Sequence, residues 1–530
     1  MKAIILLIIT TAFALPAFFL AARYNLHMLQ LNGYKAGEQL NWLKKNWRKQ
    51  WILSFTLICG ILLCLFRSTV LGVFGCLGLW LSILVFKAHR NLNQKKKLVY
   101  TARVKRLMAT LSILALALIA LGAIFLSFES WPAVPVIIAG AAAVLVYAAN
   151  LINKPLEKAI NTGYILDAKK KLKRVKGIKV IGITGSYGKT SVKFYLKTLL
   201  QGSFQVLATP GSFNTPMGVV RTIRESLLPT HEIFLCEMGA RYRGDIKEIC
   251  DIVHPDMGII TSIGPQHLET FGDISRIQDT KFELADSLPE GGLIFLNGGN
   301  ELIMERASKY KDKVLYYTEN SPVQAGENAG GYRAFDIRVS RNGTSFAIAA
   351  PDGERESFET RLIGAHNVIN IVGAVAIAHS LGIGLRELKI PVRRIRSVEH
   401  RMEIKDQGDV TIIDDAYNSN PVGSKAAVET LALFDGLRIL ITPGMVELGR
   451  EEEAFNKKFG YFSAPCCDYI LLVGKKARTD SIREGALENG FPEKKCLSFD
   501  SLADAMGYAR SIKDTGHKYI LLENDLPDNY

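Results

Sequence analysis

An α-helical membrane region followed by an α/β unit is the fold class the sequence predicts, on three observations. Five apolar runs crowd the first 150 of 530 residues, and a β-branched run near residue 180 leads into a glycine-rich turn and an amphipathic continuation. Farther along, β-branched runs end in carboxylates or turn residues. A chain this long exceeds a single core, so lipid-facing and globular material are joined in it.

The first run, residues 3–22, is nearly uninterrupted and long enough to cross a hydrocarbon core of about 30 Å. A cleaved signal peptide is the alternative, disfavoured because only Lys2 precedes the run and more apolar segments follow. Residues 51–66, 69–86, 107–126 and 134–149 bring the expected set to about five transmembrane helices in a membrane region spanning 1–150. The second and third runs are short enough to form a re-entrant pair instead. Basic residues gather at 23–50 (Arg23, Lys35, Lys44, Lys45, Arg48, Lys49) and at 87–106, which places both loops in the cytoplasm. The links at Arg67 and 127–132 then face outward, and the fifth helix returns the chain to the cytoplasm. The expected location is a multi-pass protein of the cell membrane with cytoplasmic catalytic domains, its helices serving as an anchor or presenting a membrane-associated substrate.

The formal charge of +14 belongs to this region. Residues 1–176 hold 24 Lys and Arg against 4 Asp and Glu, and the remainder holds 41 against 47. A nucleic-acid binder carries its basic footprint on the folded domain, so nucleic acid is not an expected partner, whereas membrane lipid is. The eight cysteines form no CxxC pattern, which fits a reducing compartment. Residues 151–177, with Lys169, Lys170, Lys171, Lys173, Arg174 and Lys176, read as a basic, solvated or headgroup-facing linker.

Next, Ile178 to Leu196 reads as strand, loop and helix around Gly185-Ser186-Tyr187-Gly188-Lys189-Thr190-Ser191. Backbone N–H groups of such a loop and the helix N-terminus hold phosphate oxygens. Lys189 would reach the terminal phosphates and the Thr190 hydroxyl would bind magnesium. The strict phosphate-loop pattern has glycine where Ile183 stands, so the match is to the shorter G-x-x-G-K-[ST].

With Thr184 included, this loop resembles the T-G-x-x-G-K-[ST] of the Mur ligases, and the resemblance runs to the C-terminus. It is nearest the MurF branch, which adds D-alanyl-D-alanine to the peptidoglycan precursor peptide. The resemblance implies a P-loop central ATPase domain (178–390) and a Rossmann-like C-terminal domain (391–530), with ATP and Mg2+ as cofactors.

Further motifs follow in the family's order. Glu237, closing the run Ile233-Phe234-Leu235-Cys236-Glu237, sits where ligands bind an open α/β sheet and resembles the family's magnesium-binding glutamate. His267, in Gly264-Pro265-Gln266-His267, resembles the histidine near a second metal, and Lys281 the lysine that carbon dioxide carbamylates into an oxygen ligand. Asn367 and Asn370, at i and i+3 on one helix face, match a pair near the nucleotide. Asn297 resembles the asparagine of a nucleotide-binding turn, but Gly298-Gly299-Asn300 replaces the expected aspartates. Arg401 resembles the arginine that swings to the terminal phosphate. In Asp414-Asp415-Ala416-Tyr417-Asn418-Ser419-Asn420-Pro421, the resemblance implies that Asp415 holds the nucleotide or its metal and that Asn418 and Asn420 touch the incoming amine. Gly444-Met445-Val446-Glu447-Leu448-Gly449 repeats a family turn, read as partly structural. Asn214 and Thr215 fall where acceptor contacts are expected, although Thr215 replaces a second asparagine.

The implied function is an ATP-dependent amide ligase. A carboxylate acceptor, muropeptide-like and UDP- or lipid-linked, is activated as an acyl phosphate and attacked by an amino acid or dipeptide amine. Membrane helices stand where the peptidoglycan-pathway enzymes carry a UDP-sugar domain, so a lipid-linked or other membrane-associated acceptor is the alternative. A non-catalytic nucleotide-binding scaffold is a second alternative; the retained Lys189, Glu237, His267, Lys281, Arg401 and Asp415 argue against it.

Overall fold

The computed structural model describes residues 2–91, 97–319, 331–417, 419–474, 477–513 and 516–524, with the side chains of 47–49 and 89–91 outside the description. The chain divides into two compact units, the first ending at Gly163 and the second beginning at Tyr164.

In the first unit, three of the described helices are long and apolar enough to cross a membrane: Lys2–Leu31, Thr69–Ala88 and Ala102–Phe125. Two bent pairs, Ala36–Lys45 with Gln50–Phe66 and Ala133–Gly140 with Ala142–Arg174, raise the number to five if each is one span. Small residues make the packing seam, with Ala14 and Ala17 of the first helix against Leu79, Val136 and Ala139. Such residues let helix backbones approach closely. Leu15, Phe66, Ile124 and Phe125 point outward, an apolar surface suited to lipid. The links expected on the outer side meet, as Arg67 donates to Glu129 at 3.2 Å. The basic loops also meet: Gln30 and Val99 exchange two hydrogen bonds of 2.9 Å, and Arg106 makes a two-point contact with Glu157 at 2.6 and 2.8 Å.

The basic segment expected as a linker is mostly helical, because helix Ala142–Arg174 runs through it. Its lysines share the helix with an apolar stripe, Ile165, Ala168 and Leu172, which packs with Val175 into the core of the second unit. Asp167 pairs there with Arg224 at 2.7 Å.

That second unit holds, among the described residues, sheets of nine and six strands. The larger comprises β1 (Lys179–Thr184), β2 (Val206–Ala208), β3 (Ile233–Glu237), β4 (Met257–Ile260), β5 (Leu293–Asn297), β6 (Val314–Glu319), β7 (Gly331–Ser340), β8 (Gly343–Ala349) and β9 (Arg355–Thr360). Their order is β2-β3-β1-β4-β5-β6-β7-β8-β9, parallel as far as β7 and antiparallel beyond. β1, β3 and β4 are buried almost throughout, as parallel strands covered on both faces must be. Helices Lys189–Leu200, Ala365–Ser380 and Leu385–Arg394 cover one face, and Pro216–Ser226, Asp245–Val253 and Ile274–Asp286 the other.

The smaller sheet comprises β10 (Glu403–Asp406), β11 (Val410–Asp415), β12 (Leu437–Thr442), β13 (Tyr469–Val473), β14 (Cys496–Phe499) and β15 (Lys518–Glu523), ordered β10-β11-β15-β12-β13-β14. All pairings but β10–β11 are parallel, giving the Rossmann-like arrangement expected. The third domain is expected to begin near Pro391. Pro391 sits inside helix Leu385–Arg394, whose buried Leu385, Leu388 and Val392 hold the turn on either side of it.

Candidate active site

At the C-terminal edge of the larger sheet, β1 runs into the glycine loop and the helix Lys189–Leu200. Gly185 (φ +148°) and Gly188 (φ +80°) adopt backbone that side chains rarely take. A Cβ on Gly185 would lie 2.1 Å from Thr261 Oγ1, and one on Gly188 2.5 Å from Asn370 Oδ1. The segment after β4 buttresses this loop. Ser186 Oγ donates to Gly264 O at 3.1 Å, Tyr187 N donates to Ser262 Oγ at 3.0 Å, and the Tyr187 hydroxyl donates to Pro265 O at 2.7 Å. Lys189 folds back on the loop, donating to Gly185 O at 2.6 Å and Ser186 O at 2.9 Å. Burial, opposed by Glu237 and aided by Arg401, pushes its ammonium down to about 8.

Glu237, at the end of β3, is fully buried and fully partnered. Lys193 Nζ donates to it at 2.9 Å, Thr190 Oγ1 at 3.0 Å and Asn214 Nδ2 at 3.1 Å. Burial pushes the carboxyl up, but Lys193, Lys189 and Asn214 outweigh it and hold Glu237 below the usual carboxylate range. Lys193 was not among the residues the sequence singled out. Its signal is the spacing: one helical turn beyond Lys189, it lies on the same face of the helix.

The smaller sheet contributes Arg401, whose Nη2 donates to Thr190 Oγ1 at 3.3 Å and whose guanidinium lies 4.6 Å from the Tyr417 ring centre. Its neighbours His400 (φ +57°) and Met402 (φ +49°) both occupy left-handed backbone. Such residues cost about 1–3 kcal/mol each unless the surroundings fix them. Here His400 Nδ1 pairs with Asp414 Oδ2 at 2.8 Å, and Met402 N donates to Asp415 Oδ1 at 3.1 Å.

Family comparison assigns residues 183–378 to the Mur ligase middle domain and 400–522 to the Mur ligase, glutamate ligase domain. The chain belongs to the Mur ligase family. Members of this family are ATP-dependent ligases, and this chain is a ligase of that type. It is 30% identical over 321 residues to the UDP-N-acetylmuramoyl-tripeptide–D-alanyl-D-alanine ligase of Escherichia coli K12, covering 60% of this chain and 69% of that one. With the Bacillus subtilis 168 enzyme of the same name, identity is 31% over 346 residues, 64% of this chain and 71% of the relative. Among solved structures, Acinetobacter baumannii MurF superposes with a TM-score of 0.61 at 24% identity, covering 69% of this chain and 77% of that one. Thermotoga maritima MurF in complex with ADP gives 0.60 at 24%, covering 69% and 80%. These structural likenesses establish the fold.

Within this Mur ligase the expected residues separate into two groups. Lys189, Thr190, Glu237, Asn214, Arg401 and Asn370 converge on the phosphate loop. Lys281, on helix Ile274–Asp286, is almost fully buried with no hydrogen-bond acceptor among the described residues. Burial, with repulsion from Lys189, pushes its ammonium far below the ordinary lysine range. His267 Nδ1 makes a close hydrogen bond to Glu447, which orients the ring and leaves Nε2 as the nitrogen it can offer to a metal. Glu447 also receives Arg241 at 3.1 Å, so the turn read as partly structural supplies a polar contact to the site.

Other expected residues make local contacts of their own. Asn297 donates to Thr261 O at 3.0 Å and accepts from Gly299 N at 3.0 Å, bracing its own turn. Asn367 accepts from the Tyr195 hydroxyl at 2.8 Å and donates to Ile363 O at 2.9 Å. Thr215 and Asn420 are helix N-caps, accepting from Gly218 N at 3.3 Å and Gly423 N at 2.8 Å. Ser191 lies in the first turn of the phosphate-loop helix. Asn418 lies outside the described residues.

One residue that sequence reasoning missed ends β15, an inner strand of the smaller sheet. Glu523 pairs in register with Asp415 across parallel β11 and β15, and its side chain is about as buried as that of Glu237. Burial pushes Asp415 up to about 6, and burial together with Asp415 pushes Glu523 well above the usual range.

Proposed function

We propose that this chain is a MurF-like ligase of peptidoglycan precursor synthesis. It joins the carboxylate of a muropeptide-like acceptor to the amine of an amino acid or dipeptide, with ATP as the activating substrate. The observation that carries this reading is the 3.3 Å contact of Arg401 with Thr190, which brings a cation from the smaller sheet onto the phosphate loop beside Lys189.

Amide formation needs the carboxylate oxygen turned into a leaving group, and an acyl phosphate does this. The protein's part is positioning and charge neutralisation. Lys189 and Arg401 flank the transferring phosphoryl group; Lys193 keeps Glu237 ionised; the loop amides hold the remaining phosphates. Thr190 Oγ1 and Glu237 Oε1, 3.0 Å apart, are two hard oxygen donors that fit a magnesium ion. Bound there, magnesium would supply further neutralisation of the phosphate oxygens. Lys281 as its carbamate, with His267 Nε2, would offer donors for a second ion. Asp415 lies beside Arg401 and supports a nucleotide role; Asn214 supports an acceptor-side role. The apolar helices support anchoring in the cell membrane with the ligase domains cytoplasmic, and so support an acceptor linked either to UDP or to lipid.

ADP release by the detergent-solubilised protein tests this, with UDP-linked or lipid-linked muropeptide and D-alanyl-D-alanine supplied together. Turnover with either acceptor, abolished in Lys189→Ala, is the expected result. ATP consumption independent of both acceptors would overturn it.

A further inference from the structure

We propose that an arginine-lined cavity beside helix Leu385–Arg394 is the receptor for a diphosphate group, the one that joins the acceptor to its carrier. This rests on the ligase reading above and names a subsite for its acceptor.

The cavity, of about 490 Å3, is lined by Arg361, Ile390, Arg393, Arg394, Ile395 and Arg396. Sites for small ligands commonly enclose about 300–1,000 Å3. Three segments meet here: the residue after β9, the last turn of the helix and the chain that leaves it. All four arginines are exposed, so a ligand reaches them from solvent.

Their setting is unusual for this unit. Residues 385–396 hold five Lys and Arg against one Glu, although acids outnumber bases beyond residue 176. Lys389, on the same helix, has its counter-ion in Glu356 at 2.9 Å. Among the described residues, no ion pair or hydrogen bond occupies the side chains of Arg361, Arg393, Arg394 or Arg396. The helix C-terminus explains a preference for cations at 393 and 394, but not at 361 or 396. Four guanidiniums around one cavity repel one another, and a polyvalent anion turns that repulsion into binding.

Diphosphate fits in charge, shape and position. Each planar guanidinium can hold two phosphate oxygens at once, which a lysine cannot do. Ile390, 63% exposed, and the buried Ile395 offer an apolar wall to whatever the diphosphate carries, a base or a lipid chain. Five residues lead from Arg396 to Arg401, at most about 18 Å of extended chain, and Arg401 touches the phosphate loop. An extended tripeptide covers about 11 Å and its sugar adds to that, so an acceptor held here has the length to bring its carboxylate toward the loop. UDP supplies the group as a nucleotide, and a lipid joined through diphosphate supplies it as a headgroup.

The test is equilibrium binding to the full-length protein in detergent, with the phosphate loop saturated by a non-hydrolysable ATP analogue. Three acceptors are offered: UDP-linked muropeptide, the same muropeptide linked to lipid through diphosphate, and the carrier-free muropeptide, which bears no phosphate. Wild-type protein should bind a diphosphate-linked form about 100-fold more tightly than the carrier-free one. In Arg393→Gln/Arg394→Gln that preference should shrink at least about 10-fold, with carrier-free binding and affinity for the ATP analogue within about threefold of wild type. A loss confined to the UDP-linked form assigns the site to the nucleotide; a loss confined to the lipid-linked form assigns it to the headgroup. An unchanged preference, or an equal fall for the carrier-free muropeptide, overturns the proposal. Should the double variant fail to fold, Arg361→Gln, on a different segment, should shrink the preference in the same way. Wild-type protein that binds none of the three would overturn the muropeptide reading and this inference with it, whereas binding without preference overturns the subsite alone.

Discussion

Two glutamates end parallel strands in the α/β unit, Glu237 on β3 and Glu523 on β15, and both are buried, yet their surroundings are opposite. Glu237 has a lysine, a hydroxyl and an amide on its oxygens and stays ionised. Glu523 has one hydroxyl and an acidic neighbour, and burial favours its protonated form. The first is an anion whose charge the fold itself balances; the second is an acid that the fold leaves without a counter-charge. Burial alone does not mark a carboxylate as catalytic or structural; the count of donors around it does.

Breaking the completed pair should have the largest effect. Lys193→Met leaves Glu237 buried without its counter-charge and should lower stability by about 3–5 kcal/mol, read from denaturant unfolding of the α/β unit's fluorescence. At Glu523 the sign reverses. Glu523→Leu replaces a poorly partnered acid with an apolar side chain and should raise stability by about 1–2 kcal/mol in the same assay.

The pH dependence sharpens the contrast. Glu237 is held below its unfolded value, so its stabilisation is present above about pH 4.3 and lost as pH falls through the lower folded value. Asp415 and Glu523 are raised, so their contribution is complete below about pH 4 and lost as pH rises through the folded value, about 6 for Asp415. Melting temperature should therefore decline between about pH 5 and 7, and the decline should flatten in Glu523→Gln. The smallest effect belongs to the framework. Tyr195→Phe removes the hydrogen bond to Asn367 and should cost about 1 kcal/mol with the KM for ATP unchanged; a large rise in that KM would place Asn367 at the nucleotide site.

What the sequence made legible follows the same division. The loop at 185–191, Glu237 and Arg401 were readable because each is tied to a local pattern: a turn only glycine permits, a strand end, a short motif. Lys193 was not, since a lysine in mid-helix ordinarily reads as solvated and its partner lies 44 positions away. The His267–Glu447 contact spans 180 positions, and Glu523 gains its neighbour only when β15 inserts between β11 and β12. The Lys-rich stretch after 151 concealed a helix because its charge outnumbers the few apolar residues that decide its packing. Asn297 and Thr215 matched family positions, but their hydrogen bonds brace local turns, which pattern alone does not reveal.

The left-handed residues on either side of Arg401 have a consequence for speed. A long side chain on a loose segment must search for its target, and each encounter then carries the entropy of ordering both backbone and rotamer. With His400 and Met402 locked, the root of Arg401 is aimed before any nucleotide arrives, and only its outer torsions remain to settle. Glycine at position 400 would relieve the strained backbone and remove the clasp to Asp414. The outcome to look for is an enzyme that melts no earlier but waits longer for its arginine at every turnover.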